Sequence, residues 1–282
     1  MSGTLYVVAT PIGNLEDITL RALRVLREVD VIAAEDTRRS ARLLGHHGIA
    51  TKTISFHEHN TRSRVPQLIS RLEAGESMAI VTDAGTPGVS DPGLELVKEA
   101  IERGIRVDPI PGASAPLAAL IVSGFELVPF TVFGFAPNRA NTRLTWLEEI
   151  ARTPHTLSFF ETPHRIQATL RQGAIVLGER PIMVARELTK IHQEFLRGTS
   201  AKLAERVSDP RGEFTVLVGP AAKTLGPSEI RIADEDVAQE FWQITEIGRV
   251  SRRQAINEVA KRSGRSAKEV YSAIERAKKL VT

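Results

Sequence analysis

Short apolar stretches alternate with longer amphipathic stretches over the first 110 residues of the chain. The apolar stretches predict strands at 5–9, 31–34, 53–56, 78–81 and 107–110. Between them, apolar residues at helical spacing predict helices at 19–28, 40–47, 64–74 and 94–103. In the first of these helices Leu20, Leu23 and Leu26 share one side, as in a helix that covers a sheet. Strands that alternate with helices predict a parallel or mostly parallel sheet.

A second α/β block follows the break at 111–116, PGASAP. It begins with a predicted short helix at 117–122, and its predicted strands are 130–133, 156–160, 182–185, 194–196 and 214–218. Segments 194–198 and 212–216 resemble neighbouring antiparallel strands. Proline and glycine within residues 220–233 predict a linker, and helical patterns follow at 237–244, 252–262 and 268–280. The prediction is therefore an α/β protein with domains at 1–112 and 113–220, followed by a small helical domain at 234–282.

Composition and charge narrow the classes of function. No apolar run approaches the roughly 18 residues that a membrane-spanning helix needs. The chain starts directly in a predicted strand, so we expect no signal peptide and a cytoplasmic location without membrane contact. The absence of cysteine excludes disulfides, thiolate metal sites and cysteine nucleophiles. From residue 249 onward, ten basic and three acidic residues give a net charge of +7, which leaves −4 on the first 248 residues. A basic helical appendage suits nucleic acid, and a solvated helical cap or dimer arm is the alternative.

The loop at 81–93, VTDAGTPGVSDPG, is the most informative segment. It joins a predicted strand to a predicted helix, at the edge where open α/β sheets bind ligands. Its glycines allow a ligand to approach the backbone closely, and its prolines restrict the loop. Asp83 and Asp91 can cap local amides or accept hydrogen bonds from ligand hydroxyls. A well-formed turn with no ligand is the alternative.

Other loops at the same predicted edge carry charged residues. The first, 10–17, is not G-x-G-x-x-G, which argues against a dinucleotide site of the usual kind. In the second, 35–40, Asp36 could hold ribose hydroxyls, although a helix cap by Thr37 or Ser40 is simpler. His57 and His59 lack enough neighbouring ligands for a recognisable metal site, so we expect no metal. The loops at 162–165 and 186–190 place charges around the predicted inter-domain cleft, where they could bind a ligand or form salt bridges.

Eight strings in order and spacing resemble one known family. They are VATPIGNLEDITLRAL, AEDTR, HEHN, TDAGTPGVSDPG, PIPGASA, FFETPHR, ARELTK and EFLRGT. Over about residues 4–220 the chain is similar to the ribosomal RNA small subunit methyltransferase I family, of the tetrapyrrole-methylase fold class. The resemblance implies two α/β domains with S-adenosyl-L-methionine (the methyl donor) in the cleft between them, and a homodimer. It also implies 2′-O-ribose methylation of a cytidine in the decoding region of 16S rRNA, on the small ribosomal subunit.

The resemblance also implies the cofactor contacts, which fall on Pro11, Asp83, Gly85, Thr86, Ser114, Ala115, Thr162, Ala185 and Thr215. Methyl transfer is an in-line displacement, and a ribose hydroxyl is a weak acid, so a base would assist it. The candidate bases are Asp36, His57, Glu58, Glu161 and Lys190. The candidate RNA contacts are Arg38, Arg39, Arg62, Arg139, Arg165, Arg252 and Arg253.

The sequence is compatible with two other functions. The same fold could methylate a small tetrapyrrole, but the basic tail and arginine-rich loops have no purpose on a small substrate. A non-catalytic RNA-binding protein of ribosome assembly could retain a vestigial cofactor pocket, but the intact TDAGTPG and PIPGASA loops argue against decay.

Overall fold

The computed structural model of the protein describes residues 2–88, 93–207, 211–221, 234–247, 250–263 and 265–280. Asp91 and most of the predicted linker lie outside the described residues. The described chain divides into two compact units, residues 1–221 and 222–282. Both predicted α/β blocks fall within the first unit, and the C-terminal helices form the second.

The first half of the larger unit is a parallel sheet covered by helices on both faces. Its strands are β1 (Thr4–Val8), β2 (Val31–Ala34), β3 (Thr53–Ser55), β4 (Met78–Val81) and β5 (Arg106–Ile110), in the order β3-β2-β4-β1-β5. Its helices are α1 (Leu20–Glu28), α2 (Thr37–His46), α3 (Thr61–Glu73) and α4 (Leu94–Glu102). Every strand pairing is parallel, so the loops that leave β1, β2, β4 and β5 meet at one edge.

The second half is a mixed sheet that begins after α5 (Ala115–Ile121). Its strands are β6 (Phe130–Phe135), β7 (Thr156–Glu161), β8 (Ile182–Arg186), β9 (Glu194–Gly198) and β10 (Phe214–Val218), in the order β6-β7-β10-β8-β9. The helices α6 (Ala140–Ala151), α7 (Pro163–Leu177) and α8 (Ser200–Arg206) contribute to the core on one face of this sheet. Strands β6 and β7 pair in parallel, whereas β7 with β10, β10 with β8 and β8 with β9 pair in antiparallel register.

The predicted pairing of segments 194–198 and 212–216 is wrong. Strand β8 lies between β9 and β10 and pairs with both in antiparallel register. Strand β8 places Ile182 and Val184 in the helix-covered core, while Met183 and Ala185 face the opposite side. Because β8 has apolar residues on both faces, it is stable between two other strands, and it therefore separates β9 from β10.

A small apolar cluster joins the two halves of the larger unit. Ile12, from the loop after β1, packs with Met183, Ala185 and Leu188 of the second sheet, together with Leu217. All five are at most 8% exposed. Gly13 follows directly, and a Cβ built there would lie 2.6 Å from the carbonyl oxygen of Leu188, so this contact requires glycine.

The C-terminal unit is a bundle of α9 (Asp234–Ile247), α10 (Arg252–Ser263) and α11 (Ala267–Leu280). Its core is small, and Val237, Ala255, Val259 and Ile274 are fully buried in it. Asp234 accepts hydrogen bonds from the side chains of Arg265 and Arg276, which connects α9 to α11. Across the described part of the chain, no helix is long and apolar enough to cross a membrane.

The buried side chain of Arg180 links the loop between α6 and β7 to the residue that follows β10. Its guanidinium donates to the carbonyl oxygens of Ala151, Thr153, His155 and Gly219, at distances from 2.6 to 3.3 Å. The residue is 8% exposed, so these carbonyl groups have little access to water. One planar cation therefore satisfies four backbone acceptors.

We expect Arg180→Met to destabilise the protein by about 3 kcal/mol or more, because several buried carbonyl groups lose their donor. The midpoint of urea denaturation, followed by circular dichroism, measures this loss. Arg152→Ala removes an exposed arginine of the same region and serves as the control, with little expected change. Equal midpoints for the two variants would contradict the role of Arg180.

Candidate functional site

A cavity of about 380 Å³ lies where the loops of the first sheet meet the second sheet. Such a volume is typical of small-molecule sites. The first half contributes Ile12, Glu35, Arg39, Asp83, Ala84, Gly85, Thr86, Ser114, Ala115 and Pro116. The second half contributes Phe135, Phe160, Glu161, Thr162, Pro163, Leu188, Gly212, Glu213, Phe214 and Thr215.

The loops after β1 and β4 are fixed to each other by backbone hydrogen bonds. The amide of Thr10 donates to the carbonyl of Gly85 at 2.9 Å, and the amide of Gly85 donates to the carbonyl of Thr10 at 3.1 Å. Gly85 has φ +85°, a conformation that favours glycine. A Cβ there would have its nearest neighbours at 3.6 and 4.0 Å, so backbone conformation, rather than crowding by the protein, requires the glycine.

Most of the predicted cofactor residues line this cavity. Asp83, Gly85, Thr86, Ser114, Ala115, Thr162 and Thr215 are among its walls. Pro11 and Ala185 are not, although both are buried. Ala185 packs instead in the apolar cluster that joins the two halves. Because β8 and β10 pair with Ala185 opposite Thr215, Ala185 lies beside a residue of the wall.

Glu35 and Asp83 form a carboxylate pair at one side of the cavity. The Oε2 of Glu35 accepts from the amide of Asp83 at 3.2 Å, and the Oδ1 of Asp83 accepts from the amide of Asp36 at 3.1 Å. Arg39 lies 3.2 Å from the Oδ2 of Asp83. Burial raises the pKa of Glu35, and the negative charge of Asp83 adds to this, against a smaller lowering by the amide hydrogen bond. Glu35 is not among the bases predicted from the sequence.

Asp36 has a structural position that makes it a poor base. Its side chain accepts a hydrogen bond from the amide of Arg38 at 2.8 Å and caps α2. The sequence predicted Thr37 or Ser40 in this role. Its hydrogen bonds with the guanidinium and amide of Arg38 lower the pKa of Asp36 to about 2. A carboxylate with so low a pKa accepts protons weakly. Asp36 does not line the cavity.

Glu161 lines the cavity, but its carboxylate is fully engaged. It accepts from the amide of Thr162 at 2.8 Å and from the hydroxyl of Thr169 at 2.6 Å, and pairs with Arg165 at 2.8 Å. Its side chain is completely buried. Arg165 also donates to Thr162 Oγ1 and to the side chain of Asn138. The arrangement holds the start of α7 in place and leaves Arg165 bound to protein rather than free for RNA.

The other three predicted bases lie away from the cavity wall. Lys190 donates to Glu187 at 2.9 Å and to Glu213 at 3.1 Å. Burial acts to lower the pKa of Lys190, but these two carboxylates outweigh it and raise that pKa, so the amine stays protonated. Glu58 lines a different groove, along α3 and α4. His57 has a buried Nδ1 with no hydrogen-bond partner in the described residues.

The predicted RNA contacts are dispersed. Arg38 and Arg39 are exposed, and Arg39 is the one that reaches the cavity. Arg62 lies with Glu58 in the groove along α3 and α4, and Arg139 is exposed at the start of α6. Arg252 and Arg253 belong to the C-terminal unit. The described residues contain no cluster of three potential metal ligands among histidine, cysteine and carboxylates.

The geometry predicts that Gly85→Val abolishes binding of S-adenosyl-L-methionine, the cofactor that the resemblance implies. The substitution strains a positive φ in the cavity wall and adds a branched side chain there. Gly104→Val is the matched control, because Gly104 also has a positive φ of +66° but is exposed, with open space around its Cβ. Calorimetric titration of both variants, after circular dichroism confirms folding, measures the difference. Unchanged affinity in Gly85→Val would place the cofactor elsewhere.

Comparisons with known proteins identify the family. The model of the tetrapyrrole (corrin/porphyrin) methylases matches residues 4–204. A ribosomal RNA small subunit methyltransferase I from Halalkalibacterium halodurans is 44% identical, over 96% of this chain and 94% of its own. One from Mesorhizobium japonicum is 51% identical, over 80% and 79% of the two chains. A solved structure of uroporphyrin-III C-methyltransferase from Thermus thermophilus with S-adenosylhomocysteine has a TM-score of 0.56 at 20% identity, and covers 77% of this chain and 97% of that one. The chain therefore belongs to the tetrapyrrole methylase family, whose members are S-adenosylmethionine-dependent methyltransferases, and within it to the ribosomal RNA small subunit methyltransferase I family.

Proposed function

We propose that this methyltransferase transfers a methyl group from S-adenosyl-L-methionine to a ribose 2′-hydroxyl of 16S rRNA. The proposed target is a cytidine in the decoding region of the small ribosomal subunit, and the proposed location is the cytoplasm. The observation that carries the proposal is the 44% identity, over 96% of this chain, to a relative named as a methyltransferase of small-subunit ribosomal RNA. The fold alone would not support it, because the same fold occurs in a uroporphyrin-III methyltransferase.

The residues that line the cavity suit the charge of the cofactor and offer it apolar surface. Among the described lining residues are four carboxylates, from Glu35, Asp83, Glu161 and Glu213, and the cation of Arg39. Arg165 and Lys190 pair with Glu161 and Glu213 from outside the wall, so the excess negative charge lies at Glu35 and Asp83. S-adenosylmethionine carries a positive sulfonium and an amino group against one carboxylate, so a negative cavity suits it. When bound, it supplies an activated methyl group. Phe135 and Phe160, with ring centroids 5.2 Å apart, provide apolar surface in the same wall.

We infer that Glu35 is the proton acceptor for the ribose hydroxyl. It lines the cavity, and within the described residues its one hydrogen-bond partner is the amide of Asp83, which leaves its Oε1 unpaired. Burial raises the pKa of Glu35, which makes it a stronger base than an ordinary carboxylate. Methyl transfer forms a carbon–oxygen bond, breaks a carbon–sulfur bond and releases the hydroxyl proton, which the carboxylate of Glu35 accepts.

Two surfaces support the proposed partners. Arg38, Arg39 and Arg62 are exposed and near the loops that follow β2 and β3, where they can contact RNA phosphates. Leu117 and Ile121, one turn apart on α5, are 50% and 71% exposed. Exposed apolar residues on one helical face suit contact with a second copy of the chain, and a homodimer is part of the proposal.

Methyl transfer to small ribosomal subunits that lack the native modification tests the reaction and its site. We expect label from S-adenosylmethionine to appear in an alkali-resistant dinucleotide, because a 2′-O-methyl group prevents alkaline cleavage at that nucleotide. Label in an alkali-sensitive product would place the methyl group on a base. No label on subunits or free RNA, with cofactor binding intact, would refute the RNA substrate and direct the search to tetrapyrroles.

Glu35→Gln tests the proposed base. We expect its methyl-transfer rate to fall by about 100-fold or more, while cofactor affinity changes little, because the amide keeps the hydrogen bond to Asp83 but accepts protons poorly. The raised pKa of Glu35 predicts that wild-type activity increases with pH as this carboxyl ionises, above the usual range of glutamate. Glu58→Gln is the control, since Glu58 lies in another groove. A full rate in Glu35→Gln, or an unchanged acid limb of the pH profile, would contradict the assignment.

A further inference from the structure

The C-terminal unit has a groove between α10 and α11 with unpaired polar groups. Its walls include Arg252, Arg253, Ile256, Asn257, Lys268 and Tyr271. Arg253, Asn257 and Lys268 are exposed, and their side chains have no partner within the described residues. The groove thus combines two free cations, a free amide and an aromatic ring.

Arg252, one of the RNA contacts predicted from the sequence, also lines this groove, but its side chain is engaged within the bundle. Its guanidinium pairs with Glu275 at 2.9 Å. It also lies 6.0 Å from the ring centroid of Phe241 and 5.7 Å from that of Tyr271. These contacts occupy Arg252 within the bundle and hold one side of the Tyr271 ring. Arg252 is therefore a support for Tyr271 rather than a free phosphate ligand.

Tyr271 is 50% exposed although its neighbours Val270 and Ala273 are fully buried in the bundle. An aromatic ring that is fixed by an arginine and open to solvent is a stacking platform for a nucleobase. Arg253 and Lys268 lie along the same groove, one on each helix, where they can neutralise successive phosphates. The amide of Asn257 can both donate to and accept from the edge of a base.

We propose that this groove is a second RNA site, which binds a single-stranded segment with one base stacked on Tyr271. The proposal rests on the proposed function in one respect, since that function makes RNA the ligand available to the protein. RNA is favoured over an acidic protein segment because the groove offers an open aromatic ring beside its cations. Single strands are favoured over duplexes because their bases are free to stack.

Fluorescence anisotropy of the full-length protein with a labelled decauridylate tests the site. We expect Tyr271→Leu, which keeps apolar volume against Arg252, to weaken binding by about fivefold or more through loss of stacking. Tyr271→Phe keeps the ring and should bind within about twofold of wild type, because stacking needs the ring and not the hydroxyl. Equal affinities for Tyr271→Leu and Tyr271→Phe would overturn the proposal.

The two cations are tested separately from stacking. Arg253→Ala and Lys268→Ala should each reduce the slope of log affinity against log salt by about 0.7, as for loss of one phosphate contact on a single strand. Lys261→Ala removes an exposed cation of α10 that does not line the groove, and its slope should change less. Equal slope changes in all three variants would indicate diffuse attraction to the basic unit and refute a defined site.

The same proteins separate this proposal from the proposed function. Failure of wild-type methyl transfer to ribosomal subunits, with the Tyr271 effect intact, would refute the reaction and leave the RNA site. Normal methyl transfer with no Tyr271 or cation effect would refute the RNA site alone.

Discussion

The contact between the loop after β1 and the turn after β8 is the constraint on which the cavity depends. It packs Ile12 against Leu188 and leaves room for no side chain at Gly13. The amide of Asn14 adds a hydrogen bond of 3.0 Å to Thr189 Oγ1. Glu187 and Thr189 both have positive φ, so the turn is strained in order to make this contact. Ile12 and Leu188 are themselves part of the cavity wall, so the junction that joins the two sheets also shapes the site.

The carboxylates that line the cavity differ in the cations and hydrogen-bond donors that the protein places beside their negative charge. Glu161 is neutralised by Arg165 and bound by two further donors, and Asp83 has Arg39 beside it. Glu213 shares Lys190 with Glu187. Glu35 has a backbone amide and no adjacent cation within hydrogen-bond distance in the described residues. The cavity therefore has one carboxylate whose charge is left available to a ligand.

Much of the first sheet could be predicted from the sequence, most directly β2 and β4, because these two strands are buried on both faces and appear as continuous apolar runs. The bounds of β2, β4 and β10 agree with the predicted 31–34, 78–81 and 214–218. The order of β8, β9 and β10 could not be predicted, since it depends on pairing between distant segments. The helix α7 was missed, although Ile166, Leu170, Gly173 and Leu177 repeat every three or four residues and are all buried. That spacing was a usable signal.

The loops around the cavity were recognised by their sequence, but the orientation of individual side chains was not. Glu35 and Asp36 are adjacent in the chain, and either could face the ligand. The structure separates them because α2 needs a cap at its first turn and Asp36 supplies it. Asp36 then has a pKa of about 2, whereas burial beside Asp83 raises the pKa of Glu35. Neighbouring carboxylates whose environments move their pKa values apart commonly mark the acid–base group of a site. A helix cap, which serves the fold, thus determines which of the two carboxylates faces the cavity.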